Sequence, residues 1–203
     1  MFKEKLHKKL ASALEELKIE TPTPLQAQCL SKINAGSDVI GIGPAGSGKS
    51  TLITIASIQK IQRALDDMPK VLILVGTKEN GLVMKDQFTH FAKNTDLRIN
   101  CAFEYGNIDK QSIEIYEGTD ILIGTAKRLL DIYFSRSLNL NKIKLFVIDD
   151  AELMIKNSWQ GQIDRLALSL PKCQHLVFTS GLTEKIEKLI SKFIVAPFVV
   201  EVE

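Results

Sequence analysis

The sequence predicts an α/β fold: a single domain whose mainly parallel sheet carries helices on both faces. Two features carry that expectation. Seven short, nearly continuous apolar runs recur along the 203 residues, as strands buried on both faces require. Amphipathic stretches with helical spacing separate them, and alternating strands and helices imply a parallel sheet wrapped by its crossovers.

Taken in order, "EKLHKKLASALEELK" places Leu6, Leu10, Ala13, Leu14 and Leu17 on one helical face. "TPTPLQAQCLSKINAG" predicts a second helix, opened by its prolines and closed by Gly36. The candidate strands are "DVIGI", "VLILVG", "RINCAF", "DILIG", "LFVID", "HLVFTS" and "PFVVEV". Helical spacing marks residues 52–65, 82–91, 126–134 and 163–170 among the stretches between them. No internal repeat, low-complexity segment or linker-like tract interrupts the pattern, so residues 1–203 are read as one domain.

Composition narrows the function classes. Hydrophobic residues make up 45% of the chain and charged ones 25%, as in ordinary globular domains. A formal net charge of +2 gives no strong field toward nucleic acid or membranes, so binding to either must come from local placement of Lys and Arg. Cys29, Cys101 and Cys173 are odd in number and widely spaced, which fits free thiols in a reducing compartment. His7, His90 and His175 are scattered and suggest no metal cluster. No apolar run approaches the ~20 residues a membrane span needs, and no signal-peptide core opens the chain. The expectation is an intracellular, cytoplasmic protein without a membrane partner.

The strongest motif is "GIGPAGSGKST", placed after the first apolar run and before a long helical stretch. Gly43, four intervening residues, then Gly48, Lys49 and Ser50 form the complete phosphate-loop pattern in its strand–loop–helix context. In such a loop, backbone N–H groups turn inward around phosphate oxygens, helped by the helix dipole. Gly43, Pro44, Ala45, Gly46, Ser47, Gly48, Lys49, Ser50 and Thr51 are therefore the candidate nucleotide-binding residues. Lys49 suits the β- and γ-phosphates, and the Ser50 hydroxyl suits Mg²⁺.

A phosphate loop needs a carboxylate at the end of a neighbouring strand, and "LFVIDDAELM" supplies Asp149 and Asp150 after four apolar residues. Asp149 is the expected Mg²⁺-side acid. Asp150 is the expected acid that orients or deprotonates the attacking water. Lys49, Asp149 and Asp150 are the candidate catalytic set, with ATP and Mg²⁺ as cofactors.

With both motifs placed, nearly the whole chain resembles the N-terminal RecA-like lobe of DEAD-box RNA helicases. "IETPTPLQ" resembles the family's Q motif, which implies that Gln26 reads adenine through its amide, with Ile19 as an apolar wall and Phe2 as a stacking aromatic. "VGTKENGLV" resembles Pro-Thr-Arg-Glu-Leu-Ala, with Gly76 for proline, Lys78 for arginine, and Asn80 and Gly81 for Leu-Ala. "EYGN" keeps only Gly106 of a glycine doublet, and "GTAKRLLDI" resembles Thr-Pro-Gly-Arg, keeping Thr125 and Arg128. The resemblance assigns these loops to the RNA backbone, so Thr77, Lys78, Gly106, Thr125 and Arg128 are the candidate RNA contacts, made without sequence readout.

Two motifs depart from the family pattern. Asp-Asp-Ala-Glu stands for Asp-Glu-Ala-Asp, which shortens the second acid by one methylene and pulls its oxygens back by ~1.5 Å, about one C–C bond. "TSG", residues 179–181, stands for Ser-Ala-Thr, whose hydroxyls in the family bond the last acid and couple ATP state to lobe closure. Glu152 and Gly181 thus change together, which predicts a re-wired or weakened link. The resemblance implies an ATP-dependent RNA helicase lobe with its Q-motif helices in residues 1–36. It needs a second RecA-like lobe, in cis or in trans, that these residues are not expected to contain. The other reading is a catalytically weak module that binds ATP and a protein or RNA partner without unwinding.

Overall fold

A computed structural model describes residues 6–203. The apolar runs become seven strands: β1 Val39–Ile42, β2 Val71–Leu74, β3 Ile99–Ala102, β4 Ile121–Gly124, β5 Leu145–Ile148, β6 Gln174–Thr179 and β7 Phe198–Glu201. All pair in parallel, in the order β3-β4-β2-β5-β6-β1-β7. The helices are α1 Lys8–Glu16, α2 Pro24–Asn34, α3 Lys49–Ile61, α4 Lys78–Phe91, α5 Ile108–Tyr116, α6 Ala126–Phe134, α7 Ala151–Lys156, α8 Gln160–Leu168 and α9 Glu184–Ile190.

The two faces of the sheet follow from strand parity, because successive side chains point to opposite sides. Val71, Ile73, Leu145, Val147, Leu176 and Phe178 face one core, filled by Leu10 and Leu14 of α1, Leu25 of α2, Leu52 and Ile55 of α3 and Phe88 of α4. Leu72, Leu74, Phe146, Ile148 and Val177 face the other, filled by Leu129 of α6, Met154 of α7, Ile163 of α8 and Ile186 of α9. Double burial explains why these strands read as unbroken apolar runs rather than alternating ones.

Helix boundaries follow local chemistry. Thr23 caps α2 through a reciprocal capping box with Gln26, and Pro24 occupies the first turn, where its missing N–H costs nothing. Gly36 ends that segment at φ +87°. Helical spacing over 52–65 overextends α3, which stops at Ile61 where Gln62 takes φ +58° and leaves Leu65 exposed. The short helices α5, α7 and α9 lie outside the four stretches singled out by spacing.

Because every strand is parallel, every carboxyl end lies along one edge of the sheet. Backbone bonds tie those ends together: Gly43 N donates to Thr179 O, Asp149 N to Leu74 O, and Val75 N to Gly124 O. Motifs scattered between residues 43 and 181 therefore lie along one rim. Open α/β sheets place their ligands along that rim.

Candidate functional site

One strand in from the β7 edge of the sheet, the loop after β1 leads into the N-terminus of α3. Gly46 and Gly48 hold φ of +86° and +92°, the left-handed region that L side chains rarely adopt. Lys49 is buried, and its ammonium donates to the carbonyls of Gly43 at 2.6 Å and Pro44 at 2.9 Å. Ala45, Gly46, Gly48, Lys49, Ser50, Thr51, Asp149 and Asp150 line one cleft of about 470 Å³, with Asn80, Val83 and Met84 on its far wall. Of the predicted loop residues, Gly43, Pro44 and Ser47 stand behind this lining.

Asp149 leaves β5 into that cleft almost fully buried, and its Oδ1 has no hydrogen-bond partner. Burial first, then the neighbouring Asp150 charge, push its carboxyl up to about 7 against the pull of Lys49. An orphaned buried carboxylate oxygen in the cleft that Ser50 also lines is a donor set that suits a hard divalent cation. Asp150 sits at φ +55° and caps α7. Its Oδ2 accepts from Asn80 Nδ2 at 3.1 Å. Burial and Glu152 raise the Asp150 carboxyl, while Lys49 and the Asn80 bond lower it.

Glu152 reaches β6 instead of leaving a gap. Its Oε2 accepts from Thr179 Oγ1 at 2.8 Å and its Oε1 from Ser180 N at 3.0 Å. Burial opposes its charge, but these bonds outweigh the penalty and hold the carboxyl below its ordinary range. Of the two expectations for this link, re-wired or weakened, these contacts fit the first. The longer acid takes up one hydroxyl and one backbone amide, so the link needs no side chain at Gly181.

Gln26 is turned inward. Its Oε1 accepts from Thr23 N at 3.0 Å, and its Nε2 donates to Gly48 O at 3.1 Å. Thr23 Oγ1 also donates to Ser47 O at 2.8 Å, so the start of α2 grips the phosphate loop at two consecutive residues. One amide proton and one lone pair of Gln26 remain for a further partner. Ile19 packs against the core, and Phe2 lies outside the described residues. Sequence reasoning missed Thr23, although the T-x-x-Q spacing of a capping box marks it as the partner of Gln26.

A second cleft, of about 650 Å³, opens over β2 and β4. Gly76, Thr77, Lys78, Thr125, Lys127 and Arg128 line it, together with Glu104, Tyr105 and Trp159. Thr77 caps α4, its Oγ1 accepting from Asn80 N at 3.1 Å. Thr125 is buried and its hydroxyl donates to Glu104. Arg128 Nη1 donates to Gly106 O at 3.1 Å and Gln111 Oε1 at 3.0 Å. Of the five candidate RNA contacts, Thr77, Lys78, Thr125 and Arg128 line this cleft, and Gly106 lies outside the lining, tied to it by its bond to Arg128. Sequence reasoning passed over Glu104 and Tyr105, which stand inside "EYGN", and Trp159, which no motif marks.

Fold and site together define a RecA-like α/β domain with a phosphate loop and a paired-acid strand end. The DEAD/DEAH box helicase family model matches residues 23–189, and the chain belongs to that family. It is 32% identical over 195 residues to the Candida albicans pre-mRNA-processing ATP-dependent RNA helicase PRP5, covering 92% of this chain and 22% of that protein. It is 28% identical over 197 residues to the Escherichia coli ATP-dependent RNA helicase DeaD, covering 96% of this chain and 31% of that protein. The chain thus spans less than a third of the length of these relatives.

Among solved structures, a DEAD box protein from the hyperthermophile Methanococcus jannaschii superposes with a TM-score of 0.92. Identity is 21%, covering 98% of this chain and 55% of that one. The yeast DEAD-box splicing factor Prp28 gives 0.91 at 23% identity, covering 98% and 50%. Both likenesses are of fold. Helicases of this family use ATP. Among the described residues, no helix is long and apolar enough to cross a membrane.

Proposed function

We propose that residues 1–203 form the first, ATP-binding lobe of an RNA-dependent ATPase, which remodels RNA when joined to a second RecA-like lobe in cis or in trans. The observation that carries this reading is the shared rim. A phosphate loop with buried Lys49 and Asp149 opens into one cleft, and the first turn of α4 separates it from a second cleft lined by Thr77, Lys78, Thr125 and Arg128. Three free cysteines fit a reducing cytoplasmic setting.

In this reading Gly43 to Thr51 hold the triphosphate, with backbone amides and the Lys49 ammonium on its oxygens. Gln26 offers its free donor and acceptor to adenine. Ser50 and Asp149 would hold Mg²⁺, which when bound neutralises charge on the phosphates and fixes their geometry. Asp150 orients the attacking water. The Glu152–Thr179–Ser180 contacts join the acid strand to β6, so a change at the nucleotide reaches the neighbouring strand. RNA is held by its backbone and without sequence readout, since the cleft offers hydroxyls and cations.

Single-turnover hydrolysis of ATP with and without single-stranded RNA tests this, with Lys49→Ala as the inactive reference. With a second RecA-like lobe supplied, hydrolysis by the unmodified chain above that reference, increased by RNA, supports the reading. Fluorescence anisotropy tests the second cleft: binding should be weak, salt-sensitive and reduced by Lys78→Ala or Arg128→Ala. Each phosphate neutralised on a single strand contributes only ~0.7 to the salt slope, so few cations mean low affinity. Submicromolar binding at ~150 mM salt, or binding indifferent to both substitutions, would place the RNA surface elsewhere.

A further inference from the structure

Asn80 is the residue on which the two clefts meet. Thr77, Lys78 and Glu79 line the second cleft, and Asn80, Val83 and Met84 line the phosphate-loop cleft. The change of side falls within the first turn of α4, between Glu79 and Asn80. That turn is held firmly. Asn80 N is bonded to Thr77 Oγ1 at 3.1 Å and Gly81 N to Thr77 O at 3.1 Å. A Cβ at Gly81 would come within 2.3 Å of Phe103, so only glycine lets the turn sit this close to the chain after β3. The Asn80 amide then donates across the cleft to Asp150 Oδ2 at 3.1 Å, a contact between residues 70 apart in sequence.

The bond falls where the acid needs one. Asp150 is attached through a backbone at φ +55°, and its side chain makes no cap bond to the helix it starts. Among the described residues, Asn80 provides the hydrogen bond that its carboxylate accepts from a side chain. An amide donor on one oxygen fixes the carboxylate plane and leaves the other oxygen free to accept a proton from water. Bonds to ionised acceptors are also stronger and more directional than neutral ones.

We propose that Asn80 is a positioning residue that fixes the Asp150 carboxylate, and that occupancy of the cleft holding Thr77 and Lys78 is felt by Asp150 through it. The inference rests on the ATPase reading above and deepens it. A phosphate held by Thr77 and Lys78 loads the same helical turn whose fourth residue orients the acid. A displacement on the ångström scale at that turn is enough, because misplacing a catalytic group by about 1 Å costs up to ~10²-fold in rate.

The test is a set of single-turnover ATP hydrolysis measurements on the full chain supplied with a second RecA-like lobe, with and without single-stranded RNA. The variants are Asn80→Ala, Asn80→Asp, Asp150→Asn and Asn80→Ala with Asp150→Asn. Asn80→Ala should lower the RNA-stimulated rate by about tenfold. ATP affinity by calorimetry should stay within about twofold, since the phosphate loop is untouched. The stimulation by RNA should shrink in the same variant. Asn80→Asp keeps the shape but replaces the donor with a like charge, so it should fall below Asn80→Ala. A purely structural role would rank the two the other way. In the Asp150→Asn background, Asn80→Ala should add nothing, because the group it positions is gone.

Asn80 is exposed, so all variants should melt close to the unmodified chain. Rates for both Asn80 variants within twofold of the unmodified chain would overturn the inference, as would an equal loss in the Asp150→Asn background. Either result leaves the ATPase reading standing. With that second lobe present, hydrolysis by the unmodified chain no faster than by Lys49→Ala would overturn both.

Discussion

Gly48→Ala strikes the contact between α2 and the phosphate loop, and its cost can be worked from the geometry. Gly48 lies at φ +92°, where an L residue costs roughly 1–2 kcal/mol. The new Cβ would stand 2.4 Å from Gln26 Nε2 and 2.9 Å from Thr23 Oγ1. Neither neighbour can simply swing away. Gln26 is buried and bonded to Gly48 O and Thr23 N, while Thr23 is bonded to Ser47 O. Displacing the amide sacrifices about two hydrogen bonds, roughly 1–3 kcal/mol in total. The sum is about 2–5 kcal/mol, or a fall in melting temperature of roughly 5–15 °C for a domain of this size.

Gly46→Ala is the matched control. Gly46 has φ +86°, but a Cβ there meets nothing within 4 Å, so it should show the strain alone. Urea denaturation of both variants isolates the α2 contact as their difference. Calorimetry should show a second distinction: Gly48→Ala loses ATP-over-GTP preference as Gln26 is displaced, whereas Gly46→Ala keeps it. Equal stability of the two variants, within about 0.5 kcal/mol, would refute the argument that Gln26 and Thr23 lock the loop.

Gln26→Ala should erode ATP-over-GTP preference while Lys49→Ala abolishes binding of both, and calorimetry giving equal ATP and GTP affinity for the unmodified chain would refute the adenine role. Asp149→Asn should raise stability at pH 8 by roughly 1–3 kcal/mol, because it removes a buried charge beside Asp150 while weakening Mg²⁺-dependent ATP binding. Thermal melts at pH 8 without nucleotide check the sign. His175 supplies a pH test far from the rim: burial opposes its charge, but Asp38 and the Cys173 sulfur outweigh it and push the imidazole up to about 9. Its folded pKa lies above the unfolded value of about 6.5, so its stabilisation is complete below that value and is lost as pH rises through 9. His175→Gln should remove up to about 3 kcal/mol of the stability lost between pH 7 and 10, and parallel profiles for the two proteins would refute it.

The fold was legible because its determinants are local in sequence. Each of the seven apolar runs became a strand, and double burial is what made the runs continuous. The phosphate loop was legible for the same reason, since one short segment carries every group it needs. The end of α3 was not, because spacing alone gives no sign that Gln62 turns the chain; there Asp96, 32 residues away, accepts from Ala64 N. α7 was equally hidden. Asp150 stands at its N-cap, but through a left-handed backbone and without a side-chain cap bond, which the residue type does not announce.

What the sequence concealed in the site is the pairing of its departures. Read one at a time, Gly76, Asn80, Asp150, Glu152 and Gly181 look like losses from a family pattern. In space most have a counterpart. A Cβ at Gly76 would fall 2.6 Å from Leu153, so the missing proline makes room for the residue after Glu152. The shortened Asp150 carries a donor from Asn80, and the lengthened Glu152 spans to Thr179 and Ser180. Unpaired losses would leave buried acids without partners, at roughly 1–3 kcal/mol or more each. Of the three acids, only Asp149 keeps a buried oxygen unbonded, and it is the one assigned to the cation. An eroding site would shed partners at random. This one has lost family residues yet kept partners for Asp150 and Glu152, which fits an altered geometry of the proposed site better than its decay.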